Sequence, residues 1–188
     1  MTTSKITKFT FTILLAVFFI NSCSKYCLDE ILYVWEGFTL NAKTQKKPVL
    51  KAGEIIRYDS LEYFVQLKEK LSDSEDSGCE PFYYTEDKIT ELKVTGNKNY
   101  NLDFESNELN DWVHSVYGTD TITVGSLINR LNANASNQLG QSFYFIMDTT
   151  PSADIRDFKL KIELVKNFRD TLSVTSVPLT ILSVEEMN

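Results

Sequence analysis

The chain has 188 residues, 43% of them hydrophobic and 12% aromatic, which is enough apolar material for a packed core and too much for a disordered chain. Its 26 acidic against 19 basic side chains give a net charge of −7, a surface that repels phosphate backbones, so nucleic acid is not an expected partner. Three cysteines and one histidine leave little room for a multi-ligand metal centre or a histidine-rich active site.

The first segment has the three parts of an export signal. Lys5 and Lys8 form a basic head, an apolar stretch runs from about Phe9 to Ile20, and no acidic residue occurs before Cys23. A membrane-spanning helix needs roughly 20 apolar residues, and this core is well short of that. The run Ile20-Asn21-Ser22-Cys23 resembles the bacterial lipobox, with Asn21 departing from the usual small residue at the tolerant middle position. The resemblance implies a signal peptide over 1–22, a diacylglyceryl thioether on Cys23, and an acyl chain such as palmitate on the new amine. Each buried methylene contributes about 0.8 kcal/mol, and more than one chain is needed for stable anchoring. The other reading is a plain signal peptide followed by a structural cysteine. Loss of Lys5 and Lys8 with the signal leaves 17 basic against 26 acidic side chains, a net charge of −9. That balance gives no polybasic membrane patch, so the lipid itself is the expected membrane partner.

Residues 23–30 read as a lipidated tether and residues 31–188 as one domain, there being no Gly/Ser/Pro-rich linker and no internal repeat. With Cys23 assigned to lipid, Cys27 and Cys79 remain. In an exported chain an even pair reads as a disulfide, and closing a loop of roughly 50 residues contributes about 4 kcal/mol on the chain-entropy model. Two separate buried thiols are the alternative.

Period-two patterning dominates the chain beyond the tether. Strands are expected at Leu32 to Ala42, Gly53 to Tyr58, Leu61 to Leu67, Ile89 to Thr95, Phe143 to Met147, Phe158 to Leu164 and Leu172 to Leu182. Pro178 lacks an amide hydrogen, which places the last strand at an edge or a bulge. Lys166 to Asp170 reads as a hairpin connection. Helical signals are few: Asn107 or Asn110 capping a turn or two through Trp112, Val113 and Val116 to Gly118, and Ser126 capping Leu127 to Leu131. Together these predict an all-β, immunoglobulin-like antiparallel β-sandwich with one or two short helices.

Several segments extend the lipobox likeness. They are Ile89 to Thr95 leading to Asn99-Tyr100-Asn101, the turn Leu109-Asn110-Asp111-Trp112, and the strands closing the chain from Phe143. In these the chain resembles uncharacterised lipoproteins of Bacteroidota that carry a domain of unknown function behind a lipobox. The resemblance implies an exported, lipid-tethered β domain of the bacterial outer membrane, facing periplasm or cell surface, and brings no functional residues with it. Four triplets also resemble the O-glycan acceptor pattern of those bacteria: Asp59-Ser60-Leu61, Asp120-Thr121-Ile122, Asp148-Thr149-Thr150 and Asp170-Thr171-Leu172. Ser60, Thr121, Thr149 and Thr171 are the implied acceptors, although Asp-Ser/Thr is also ordinary turn chemistry. Asn134-Ala135-Ser136 matches the N-glycan sequon and reads as a loop.

Catalytic patterns are sparse. His114 is the only histidine, so any triad must pass through it, and its setting among Trp112, Val113 and Val116 reads as packing. There is no Gly-x-Ser-x-Gly elbow and no phosphate-cradling Gly-rich loop. The segment Asp73-Ser74-Glu75-Asp76-Ser77-Gly78 has calcium-loop spacing at its first, third and sixth positions. Tyr84 stands where the bidentate Glu belongs, so a solvated turn is expected and no metal or cofactor is assigned. Phe82, Tyr83 and Tyr84 follow Pro81, and alternate rings on a strand face opposite ways. With Trp35 and Trp112 they form the candidate contact surface, against a reading of plain packing. The expected function is a non-enzymatic binding module for glycan, peptide or an envelope protein. The alternatives are an envelope glycoside hydrolase or other hydrolase using paired carboxylates, and a structural subunit that accepts a strand at an open edge.

Overall fold

In the computed structural model, which describes residues 30–71, 82–101, 107–135 and 139–183, the period-two segments are strands. In chain order they are β1 (Glu30–Lys43), β2 (Ile55–Arg57), β3 (Glu62–Leu71), β4 (Phe82–Tyr84), β5 (Ile89–Gly96), β6 (Val113–Tyr117), β7 (Asp120–Ile122), β8 (Ser142–Met147), β9 (Ile155–Phe158), β10 (Leu160–Lys166), β11 (Asp170–Thr175) and β12 (Leu179–Leu182). A 3-10 turn spans Tyr58–Ser60, and α1 (Val124–Asn134) lies between β7 and β8. Among the described residues the fold is all-β and sandwich-like with one short helix, as the patterning predicts. Its sheets have the orders β4-β1-β3-β8-β6-β7, β11-β10-β5 and β2-β12-β9. Most ladders are antiparallel. The short edge strands β4 and β2 pair parallel, with β1 and β12.

Buried residues follow the alternation, and where its phase slips a bulge is responsible. In β3 the inward set is Tyr63, Val65 and Leu67, continuing the parity of Leu61 just before the strand. In β1 it begins as Ile31, Tyr33 and Trp35, then moves to Phe38, Leu40 and Ala42, because the register against β3 shifts between Trp35 and Gly37. A shift near Lys166 lets Ile89 face inward together with Leu92 and Val94. In β9, Ile155 and Phe158 both face inward across a bulge that holds Asp157 at φ +53°.

Two expected strands are each split in the structure. The run Phe158 to Leu164 breaks at Lys159, where the chain leaves β9 for β10 in another sheet. The run Leu172 to Leu182 breaks at Ser176-Val177-Pro178 between β11 and β12. Both corners meet at Ser176, whose N–H donates to the Leu160 carbonyl at 2.8 Å while its Oγ accepts the Leu160 N–H at 2.9 Å. Pro178, which would interrupt a ladder, falls in the break.

The helical turn expected through Val113 and Val116 is instead strand β6. Val113 and Ser115 face inward, and β6 pairs with both β7 and β8. Gly118, at φ +62°, opens the two-residue turn to β7. The expected Ser126 cap is corrected by one turn: Thr123 is the N-cap, and its Oγ1 accepts the Ser126 N–H at 3.3 Å. Val124, Leu127 and Leu131 form the buried stripe of α1. Asn132 fastens the helix to β5, accepting the Ile89 N–H and donating to the Ile89 carbonyl, each at 2.9 Å. Asn134, expected in a loop, is the last helical residue and donates through Nδ2 to the Tyr117 hydroxyl at 2.9 Å.

Candidate functional site

Cys23, Cys27, Cys79 and the acidic segment 73–78 lie outside the described residues, as does Ser136. Of the five aromatics expected to form a contact surface, Trp35 is withdrawn. It is 0% exposed, faces the core beside Tyr33 with ring centroids 6.3 Å apart, and is therefore a packing residue. Tyr83 packs partly on the core, Tyr84 is half-buried, Trp112 is half-buried against the core, and nothing is described of the Phe82 side chain. Tyr83 and Tyr84 lie on β4 and Trp112 just before β6, four strand spacings apart, or about 19 Å. They do not form one platform. Of the residues in the acceptor-like triplets, Ser60, Thr121 and Thr171 are exposed and Thr149 is half-buried.

His114 Nδ1 and Asp148 Oδ2 make a close pair at the end of β6. A shallow depression of about 360 Å³ lies beside it, lined by Asn110, Asp111, Val113, His114, Thr123, Val124 and Gly125. Both members of the pair are more than a third exposed, at 37% and 39%. Thr123 Oγ1, the hydroxyl in that depression, is committed to Ser126. Another depression, of about 430 Å³, holds two acids, Asp59 and Glu62. Each is held by a cation: Asp59 by Arg57 at 2.5 Å and Glu62 by Lys43 at 3.2 Å.

The most developed polar cluster lies at the early part of β1, and no motif in the sequence announces it. Next to the β1 bulge, the Trp35 amide and carbonyl turn away from β3. The Trp35 N–H donates to Asp87 Oδ2 at 3.1 Å, and its carbonyl accepts from Lys166 Nζ at 2.9 Å. Lys166 and Asp87 are themselves an ion pair at 3.0 Å, with side chains only 12% and 10% exposed. Asp87 Oδ1 accepts from Asn167 Nδ2 at 2.7 Å, and Asn167 Oδ1 accepts the Lys88 N–H at 2.9 Å. The cluster thus ties β1, the segment before β5 and the β10–β11 hairpin together. Tyr33, close by, donates to the Ala135 carbonyl. Burial, reinforced by the charges of Glu69 and Asp87, pushes the Tyr33 hydroxyl up to about 12.

The hairpin tip beyond this cluster is unusual. Asn167 and Phe168 have φ of +53° and +59°, as mirror-image hairpin turns require, and the Arg169 N–H closes the turn on the Lys166 carbonyl at 3.1 Å. Asn tolerates this conformation, whereas a bulky aromatic is an outlier there. Phe168 is 86% exposed.

Among the described residues no group of three or more His, Cys, Asp or Glu side chains is placed to hold a metal ion. No helix of the described residues is long and apolar enough to cross a membrane. Comparison with protein-family models, curated proteins and solved structures finds no match, so the class of this protein is the one its fold defines: an all-β, sandwich-like domain, with one short helix among the described residues.

Proposed function

We propose that the chain is a lipid-anchored protein of the bacterial outer membrane whose β-sandwich is a non-catalytic binding module, clamped at its anchored end by a Cys27–Cys79 disulfide. The lipobox-like run ending at Cys23 supports the anchor, and the observation that carries the clamp is the register of β1 against β4. These strands are parallel with Glu30 opposite Phe82, Ile31 opposite Tyr83 and Leu32 opposite Tyr84. Cys27 stands three residues before Glu30, and Cys79 three residues before Phe82. The same offset therefore relates the two cysteines as relates the paired residues. Neighbouring strands lie about 4.8 Å apart, within the roughly 4.4–6.8 Å between Cα atoms that a disulfide spans.

The partners that fit are a glycan, a peptide or another envelope protein, reached from the periplasmic or outer face, with Tyr84 and Trp112 as separate contact points. Nucleic acid does not fit a mature net charge of −9, the balance of 17 basic and 26 acidic side chains after signal removal. An assembly role has one observation in its favour: Ile55, on the edge strand β2, is 65% exposed.

Labelling cells with a lipid precursor is expected to tag wild type and not Cys23→Ala. A tagged variant, or an unacylated amino terminus on natively made protein, overturns the anchor. Peptide mass mapping without reductant is expected to join the Cys27 and Cys79 peptides, and free thiols at both positions overturn the clamp.

A further inference from the structure

We infer that the β10–β11 hairpin tip is a second membrane contact, with the Phe168 ring seated in the lipid interface beside the anchor; this rests on the lipid-anchor reading above. Phe168 is the most exposed large hydrophobic residue among the described ones, at 86%. Its backbone sits at φ +59°, which an aromatic residue adopts at a cost, and a side chain this exposed and outside the core cluster has little packing to offset it. Nor is the tip loose. Lys166 is fixed to Trp35 and Asp87, while Asn167 is fixed to Asp87 and Lys88, so the ring is held pointing outward.

Position selects lipid as the occupant. Lys166 reaches β1 at Trp35, five residues from the start of the strand and about 17 Å along it, whereas Lys43 at the other end lies about 26 Å beyond. The tip is therefore on the half of the sandwich where the chain enters. Six residues lie between Cys23 and Glu30, so the seven steps of chain reach at most about 25 Å and the membrane can meet both the anchor and the tip. Exposed Arg169 follows Phe168 in the chain and exposed Lys88 is bonded to Asn167 through its backbone, so cations of the kind common around an aromatic at a headgroup boundary are near the tip, with Glu86 and Asp170 as exposed opposing charges. One ring would not hold a free protein on a bilayer. Tethering makes its insertion intramolecular, so a weak contact suffices to set the orientation of the domain.

The test places the photoreactive residue p-benzoylphenylalanine at position 168 of the full chain, with Ile55 as the control site, and irradiates the membranes of producing cells. Lipid adducts on the 168-containing peptide at tenfold or more over position 55 are expected. Equal adducts at both sites, adducts to protein alone, or none from a chain that is acylated and membrane-bound would overturn the tip while leaving the anchor standing. An unacylated chain absent from membranes overturns both. Phe168→Gly, with a thermal midpoint no lower than wild type, should release the tip and at least double the rate at which external protease cleaves the tether of the membrane-bound protein; an unchanged rate counts against the contact.

Discussion

Replacing Asp87 by Ala tests whether the cluster at Trp35 joins the sheet that contains β1 to the β11-β10-β5 sheet. Three donors lose their acceptor at once: the Trp35 N–H, Lys166 Nζ and Asn167 Nδ2, now at 3.1, 3.0 and 2.7 Å. Lys166, 12% exposed, would keep only the Trp35 carbonyl, leaving a nearly buried ammonium without a counter-charge. Removing one partner of a buried pair costs about 3–5 kcal/mol. Because Lys166 keeps one acceptor and a little solvent, the lower end, about 3 kcal/mol, is expected. With a urea slope of about 2 kcal/mol/M, the midpoint should fall by about 1.5 M. Asp87→Ala combined with Lys166→Met should lose less than Asp87→Ala alone, since no charge remains stranded. A loss under about 1 kcal/mol, typical of exposed pairs, or strict additivity in the double variant would refute the reasoning.

Gly96→Ala would place a methyl 2.8 Å from both the Phe158 ring and the Lys98 carbonyl, so a loss of about 1–3 kcal/mol in thermal unfolding is expected, and a neutral result would mean that this corner yields. Burial raises the Glu69 carboxyl above its ordinary value, offset in part by backbone hydrogen bonds from Gly140 and Gln141. The unfolded chain therefore releases that proton first, and stability falls as pH climbs through the carboxylate range. Glu69→Gln keeps an acceptor for the Gly140 N–H, so it should be more stable than wild type at neutral pH and converge with it below that range; urea melts against pH would show the opposite trend if the sign is wrong. Phe168→Gly removes an aromatic from φ +59° and should raise stability by up to about 1 kcal/mol, whereas a loss would show that the ring packs in the domain.

Strands that keep one phase were legible from residue order alone: β3, β8 and β10 bury every second side chain as their patterns imply. Phase slips were not, because a bulge such as that after Trp35 is set by the partner strand rather than by local residues. The sheet change at Lys159 was hidden for a different reason. Phe158, Leu160, Ile162 and Leu164 remain on one parity and are all buried, so the alternation runs unbroken through a corner where the hydrogen-bonding partners change. In β6 a buried serine, Ser115, masks the period of two, while Val113 and Val116 mimic helical spacing. Trp35 was expected at a surface because aromatics serve both roles, and only the register decides which face it takes. The Asp87–Lys166 pair joins residues 79 apart and leaves no local pattern.

The parts that escaped the sequence have a common mechanical consequence. With the proposed amino-terminal anchor, force or orientation would enter the domain through the start of β1, whose outer edge is covered by β4 for only three residue pairs. Past Leu32 that edge would be open, with the Trp35 amide and carbonyl unpaired in a buried setting, an arrangement that costs free energy. Asp87 and Lys166 satisfy both groups, and each belongs to the segment or strand that builds the second sheet, β11-β10-β5. Load on β1 is therefore shared between its ladder with β3 and the hairpin whose tip carries Phe168. The proposed disulfide before Glu30 and Phe82 would hold β1 to β4 at the start of that edge. The proposed anchor and clamp, together with the braced hairpin, would hold the domain at a fixed angle to its carrier, and a fixed angle would let a binding face meet its partner without the domain tumbling on its tether.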